Sequence, residues 1–494
     1  ETIRKENLFL QKVGNCEMDE SLRERFKAEV RAMRAWTYLG MTMTFGKVPL
    51  ITEVLDYNSP NIPRDEVSVI RDFIMKELTE AAAILPEKYA GGYPNEKGRI
   101  TKYACLSLKA RAALYFGDYA LAESTAKEVM DKGGFSLFKI SSLSDAQKKE
   151  AEEMSLYIDF AEKGIDKDEF VKGMFNYEAL WHTENANPDN PEYIMTRQYA
   201  ASSWDYQDMT RYTSMRPNQL GGWSSVTPTQ NLVDAYWGVD GHSVPQLPTP
   251  EERAKAYNQI KADLDAYQKP EGEAKFIAFC QEKIKNGTLK DYKYIQEFRN
   301  RDSRMYVSIL MPFKSWYESN YGDKFVYEWI KNGNNESKTG FNFRKMLSLE
   351  NDANGDGQAT GDYPCIRYAE ILLIYAEAHT QTTGYDAATE AALNQLRDRC
   401  GMPDVPSGLS KEEGLKLIQN ERRIELAGEG FRGDDMTRYS DDYWKEHMNN
   451  VPIMTPDGDT ELTMKWSSRM RLKPIPQTAI DLNPLLAGDQ NPGY

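Results

Sequence analysis

The chain has 494 residues, 28% of them charged and 40% apolar, with a formal net charge of −15. So acidic a protein lacks the basic surface that nucleic-acid phosphates or anionic lipids require, and strongly anionic glycans are also disfavoured. The length permits two or three domains without requiring them.

The opening, ETIRKENLFLQ, is polar and helical in pattern, so it reads as the interior of a longer protein with a processed or preceding upstream region. No apolar run reaches the roughly 18 to 20 residues that a membrane helix needs. In ESLRERFKAEVRAMRAWTYL the residues Phe26, Val30, Met33 and Trp36 or Thr37 recur at helical spacing. VIRDFIMKELTEAAAILP repeats this with Ile70, Phe73, Ile74, Leu78, Ala81 and Leu85 before Pro86 ends it. Between them FGKVPLI reads as a turn and an extended piece. TKYACLSLKARAALYFGDYALAESTAKEVMDKGG predicts two helices joined at Gly117-Asp118, with Thr101 as N-cap and Gly133-Gly134 as the stop.

This hairpin recurs at a constant offset of 266 residues, from Ala110 to Ala376: Ala110, Ala112, Tyr119, Ala122 and Ala126 meet Ala376, Ala378, Tyr385, Ala388 and Ala392. Alanines let two helices approach closely and a Tyr fills the gap at the turn, the packing of tetratricopeptide pairs. Residues 140–345 mix short charged helices, such as EERAKAYNQIKADLDAY, with long aromatic-, Asn-, Gly- and Pro-rich segments where no period holds. Loops this long in a compact protein are functional or disordered, and the aromatic content argues against disorder. Helices return at RYAEILLIYAEAH and KLIQNERRIELAGEGF before an irregular Pro-rich tail. The expected organisation is a single domain spanning residues 1–494, in which residues 1–139 are helical, residues 140–345 are loop-rich and ligand-binding, and residues 346–494 are helical with an irregular tail.

Catalytic and metal signatures are sparse. Cys16, Cys105, Cys280, Cys365 and Cys400 form no CxxC pair, which disfavours a zinc ribbon or disulfide scaffold; an isolated bridge stays open, and one thiol is free by count. His182, His242, His379 and His447 stand at no metal spacing, and there is no P-loop or GxSxG. Nothing selects a carboxylate pair for glycoside hydrolysis among 76 acids. In NERRIELAGEGFRGDDMTRY, Glu421, Arg422, Arg423, Glu425, Glu429, Arg432 and Asp435 fall where opposite charges meet on helix faces, fixing packing. A Glu425/Glu429 acid–base pair is disfavoured, because carboxylates among arginines stay ionised.

The positive signal is aromatic. Trp316, Tyr317, Tyr321, Phe325, Tyr327 and Trp329 lie within fourteen residues, and SSWDYQDMTRYTSMRPNQLGGW holds Trp204, Tyr206, Tyr212 and Trp223 among polar residues. A sugar ring offers an apolar C–H face and a rim of hydroxyls, so it needs flat platforms beside hydrogen-bonding groups. The candidate platforms are Trp204, Trp223, Trp316 and Tyr317, with Asp205, Asn218 and Gln219 as polar partners; the alternative is that these rings form the cores of their own loops. Trp36 and Trp237 read as core. NDANGDGQATGDY places Asp352, Asn354, Asp356 and the Gln358 carbonyl at positions of an EF-hand-like loop, with Tyr363 where a Glu should close it and Asp362 one residue early. A solvated turn and a structural calcium ion are the two readings there, and no cofactor is required.

FGKVPL, LKARAALYFGDYALA, WSSVTPTQNLVDAYWGVDG, FRNRDSRMYVSIL, YPCIRYAEILLIYAEA, LNQLRDRCGMP, NERRIELAGEGFRGDDMTRY and LKPIPQTAIDLNPLLAGDQNPGY together resemble, in order, the successive signatures of SusD/RagB proteins. The resemblance implies an all-α-dominated fold of tetratricopeptide-type hairpins with long irregular loops and a few short strands. It further implies non-catalytic capture of oligo- or polysaccharide at the outer-membrane surface, a TonB-dependent SusC-like transporter as partner, and a lipidated N-terminal cysteine. Roughly the first hundred residues expected of such a protein, lipobox included, are not in this sequence, and Cys16 in KVGNC is no lipobox. The family's ligand aromatics sit on variable loops, so no residue transfers directly. Rival readings are a glycoside hydrolase with carboxylates in an aromatic cleft and a peptide-binding helical scaffold.

Overall fold

A computed structural model describes residues 1–56, 58–90, 96–182, 184–199, 215–317, 325–347 and 361–494. Helix α1 (Thr2–Lys12) lies against α2 (Glu20–Phe45), α2 against α3 (Val67–Ile84), α3 against α4 (Lys102–Tyr115) and α4 against α5 (Tyr119–Lys132). Their ends follow the sequence signals. The Thr101 hydroxyl accepts from the Ala104 amide at 3.1 Å, the Asp118 carboxylate from the Leu121 amide at 3.2 Å, and Gly117 takes the left-handed turn at φ +76°.

The buried stripe of α2 differs from expectation. Ala28, Ala32, Ala35 and Leu39 face the core, while Met33 is exposed and Trp36 half-buried at the flank. Small side chains win the contact face because they let α3 come close, and close approach maximises dispersion contact along both helices.

The middle of the chain contributes α6 (Asp145–Glu153), α7 (Phe160–Lys163), α8 (Lys167–Ala179), β1 (Tyr193–Arg197), α9 (Gln230–Ala235), α10 (Pro250–Ala266), α11 (Lys275–Lys285), α12 (Lys293–Gln296), α13 (Ser303–Ser308) and four two-residue strands. These are β2 (Ile309–Leu310), β3 (Ser315–Trp316), β4 (Phe325–Val326) and β5 (Asn342–Phe343). The region is more helical than its irregular pattern suggests. α8 shows why: every residue from Phe170 to Ala179 except Lys172 is buried, so the helix has almost no polar face to create a period.

The chain then forms β6 (Tyr363–Arg367), α14 (Tyr368–Thr382), α15 (Ala387–Arg399), α16 (Lys411–Glu425), α17 (Phe431–Arg438), α18 (Asp441–Met448), β7 (Pro452–Met454), β8 (Thr460–Thr463) and α19 (Gln477–Leu482). The strands pair only as antiparallel ribbons, β1 with β6, β2 with β5, β3 with β4 and β7 with β8. The repeated hairpins are α4–α5 and α14–α15, and α14 packs directly along α5. Seven of the matched alanines, Ala110, Ala112, Ala122, Ala126, Ala376, Ala378 and Ala392, are buried at these contacts; Ala388 is half-buried.

Two large apolar cores result. One is built from α2 to α5 with α14 to α16, the other from residues 154–347 joined by Cys400, Met402 and Ile424. All five cysteines are free thiols.

Candidate ligand-binding face

Between the two cores runs a seam of buried charge. Glu421 and Glu425 leave the last turns of α16, Arg397 and Arg399 end α15, Arg367 ends β6, Glu192 precedes β1, and Arg304 stands on α13. Glu425 takes Arg367 at 2.8 Å and Arg399 on one oxygen and Arg304 at 2.9 Å on the other. Glu421 binds Arg304 at 2.7 Å and Arg397 at 2.6 Å, Glu192 binds Arg367 at 2.8 Å and Arg399 at 3.0 Å, and Glu429 binds Arg367 and Lys345, each at 2.7 Å. On its own, burial would raise the Glu425 carboxyl. Arg399, Arg367, Arg304 and Lys345 overcome it and hold Glu425 well below the usual range, and Arg367 and Lys345 lower Glu429 likewise. Both acids are held on buried guanidinium or ammonium partners, in line with the packing role expected for this segment. The same segment pairs Arg422 with Asp435 at 2.8 Å, while Arg423 donates to the Asn231 carbonyl and Arg432 lies over the Tyr443 ring.

Trp316, expected as a solvent-facing platform, is corrected by the structure: it is 1% exposed. Its ring lies under the Arg344 guanidinium, 4.9 Å from ring centroid, and edge-on to Phe325 at 6.4 Å. Tyr327 and Trp329 are also buried, with Trp329 donating to the Ser337 carbonyl. Their loops are packed by these rings, as irregular segments with no helix to lean on must be. Tyr317 is half-buried and its hydroxyl bonds to Glu153.

Trp223 is different, with 47% of its surface exposed. Backbone hydrogen bonds close the loop that carries it. Asn218–Leu220 form one 3₁₀ turn, Gly222 donates to the Pro217 carbonyl at 3.0 Å, and Ser224 donates to the Arg216 carbonyl at 3.0 Å. A Cβ on Gly222 would sit 2.2 Å from the Arg216 carbonyl oxygen, so only glycine closes this turn. Asn218 is exposed beside it, and the Gln219 side-chain oxygen accepts from the Glu328 amide at 3.0 Å. That bond joins the described stretches of the two aromatic segments, because Glu328 follows β4, the partner of Trp316 in β3. Glu328 itself is half-buried and its carboxyl is raised by burial, a feature no local sequence pattern marks.

Trp204 and Asp205 lie outside the described residues, as do Asp352, Asn354, Asp356 and Gln358. Asp362 is buried; its two oxygens accept from the Thr196 hydroxyl and the Tyr199 amide, both at 3.2 Å. Among the described residues no cluster of three metal-ligating side chains occurs, and no helix is long and apolar enough to cross a membrane.

Stacked helical hairpins, a second core of irregular segments locked to them by buried ion pairs, and an exposed tryptophan on a hydrogen-bonded loop define a helical-repeat protein with extensive loop surface. The chain belongs to the SusD family, whose model matches residues 191–494. The SusD-like protein P38 of Formosa agariphila is 22% identical over 451 residues, covering 88% of this chain and 70% of that protein. A SusD-like protein from Bacteroides fragilis has the same fold at TM-score 0.70 and 25% identity, over 100% of this chain and 84% of the other. A SusD-like carbohydrate binding protein from the same species aligns at TM-score 0.67 and 22% identity, over 98% and 83%.

Proposed function

We propose that the protein captures oligo- or polysaccharide at the cell surface and passes it to a SusC-like TonB-dependent transporter, without cleaving it. Family membership supports this, and so do fold neighbours described as a carbohydrate binding protein, a laminarin binding SusD-like protein and a structure with xylogluco-oligosaccharide. The observation that carries it is Trp223, an exposed indole with Asn218 and Gln219 on the same loop. Trp204 and Asp205, on the same stretch of chain, and Tyr317 complete the proposed face. A few stacked rings and hydrogen bonds give micromolar or weaker affinity each, with avidity along a polymer adding the rest. Attachment is proposed to be at the outer membrane, through a lipidated cysteine preceding this sequence, and a calcium ion is proposed to brace Asp352, Asn354, Asp356, Gln358 and Asp362.

Affinity electrophoresis against a polysaccharide panel tests capture. Retarded migration without product, weakened by Trp223→Ala and Trp204→Ala, is the expected result. Reducing-end release would establish a hydrolase instead, and retention on no glycan at all would favour a peptide ligand.

A further inference from the structure

We propose that a second oligosaccharide site, for a neutral glycan segment, lies in the groove between α10, α12 and the extended chain 246–248. It rests on the glycan-capture reading and goes beyond it, since none of the groove's lining residues belongs to the Trp223 loop or to residues 325–329.

The groove has a volume of about 680 Å³, within the ~300–1,000 Å³ of small-molecule sites. Its lining carries both signs, Arg253, Lys255 and Lys293 beside Glu252, Asp291 and Glu297. Walls of mixed sign give neither an anion nor a cation a uniformly attractive surface, so the groove suits a ligand that is polar and uncharged. Leu247, Pro248 and Tyr292 supply apolar surface for the C–H face of a sugar, while Gln246, Gln259 and Gln296 bring amides that both donate and accept. Gln246 and Lys255 make no side-chain hydrogen bond or ion pair with the described residues, which leaves them available for hydroxyls.

The walls are fixed before any ligand arrives. The Tyr292 hydroxyl donates to Asp263 at 3.0 Å and its ring packs on Phe279, 6.3 Å between centroids. At the base, Arg253 pairs with Glu297, and with Asp234 at 2.9 Å. The Thr249/Glu252 capping box pins the first turn of α10. α10 also connects the two faces: Ala256 and Gln259 line the groove, while Tyr257 packs on Trp329, next to the Glu328 that holds Gln219. A polymer reaching both sites would gain by avidity.

The test is affinity electrophoresis in gels holding neutral glucans, xylans, mannans or galactans, with wild type, Trp223→Ala, Tyr292→Ala, Lys255→Ala/Gln259→Ala and the combination of face and groove changes. The Lys255 and Gln259 changes lie on the exposed rim and leave the fold intact, which a thermal melt verifies. The expected result is that each set alone weakens retention about tenfold, with residual binding in each, and that only the combination abolishes it. Groove variants that migrate as wild type, while Trp223→Ala alone abolishes retention, overturn the groove and leave the Trp223 face standing. Groove variants that abolish retention while Trp223→Ala has no effect establish the groove and overturn the face. A wild type retarded by no neutral glycan overturns both.

Discussion

Glu425→Gln removes a carboxylate shared by three guanidiniums. The glutamine can keep an oxygen toward Arg367 and Arg399, but its amide nitrogen then points at Arg304, 2.9 Å away in the wild type, setting donor against donor. Arg304 retains Asp302 at 2.8 Å and Glu421 at 2.7 Å, yet the buried site loses a full negative charge. Breaking one member of a buried ion pair costs about 3–5 kcal/mol, and this carboxylate is completely buried. The assay is urea unfolding followed by tryptophan fluorescence, with the midpoint compared between wild type and variant at pH 7. Glu425→Leu with Arg304→Met is expected to cost less than the sum of the single changes, since an apolar pair leaves fewer unpaired charges. An unchanged midpoint for Glu425→Gln would refute the view that the seam holds the halves together; lost turnover of a glycan in a variant of wild-type stability would refute the packing role outright.

Trp316→Ala is expected to destabilise by about 3–5 kcal/mol, the range for truncating a buried large aromatic, so its effect registers in a melt before any binding assay. Gly222→Ala should do the reverse, shifting the loop that displays Trp223 and weakening glycan retention several-fold with little change in melting temperature. Burial pushes the carboxyls of Glu297 and Glu336 up to about 7; burial alone would lower His379, but its bonds to Glu123 and Asp386 outweigh that and raise it. All three bind protons more tightly folded than unfolded. The stabilisation from the two glutamates is complete below their unfolded value of 4.5 and is lost as pH rises through about 7; that from His379 is present below its unfolded value and is lost at higher pH. The wild type should therefore melt higher at pH 6 than at pH 8, with a smaller difference in Glu297→Gln and Glu336→Gln; equal melting at both pH values counts against it. Calcium is expected to raise the melting temperature of the wild type and not of Asp352→Ala/Asp356→Ala, and no calcium dependence in either would remove the ion from the proposal.

Helical hairpins were legible because local rules and tertiary packing agree there: Thr101 and Asp118 cap where their side chains can reach an amide, and the alanine register marks two hairpins that stack on each other. The charged segment around Glu425 was legible for a similar reason, since its spacing already put acids beside arginines. Aromatic exposure was not. Trp223 and Trp316 sit in equally polar, irregular stretches, and what separates them is a long-range partner, Arg344, 28 positions after Trp316 along the chain (344 − 316). The α10 groove gave no signal because its walls come from short runs between positions 246 and 297 that only the fold brings together.

Anchoring charges so far from the rim separates two jobs within one polypeptide. Among the described residues, Trp223, Asn218 and the α10 rim take no part in the seam's ion pairs, so substitutions there leave the frame intact while changing the surface proposed to hold sugar. One chassis can thus host many specificities, each altered a few surface side chains at a time.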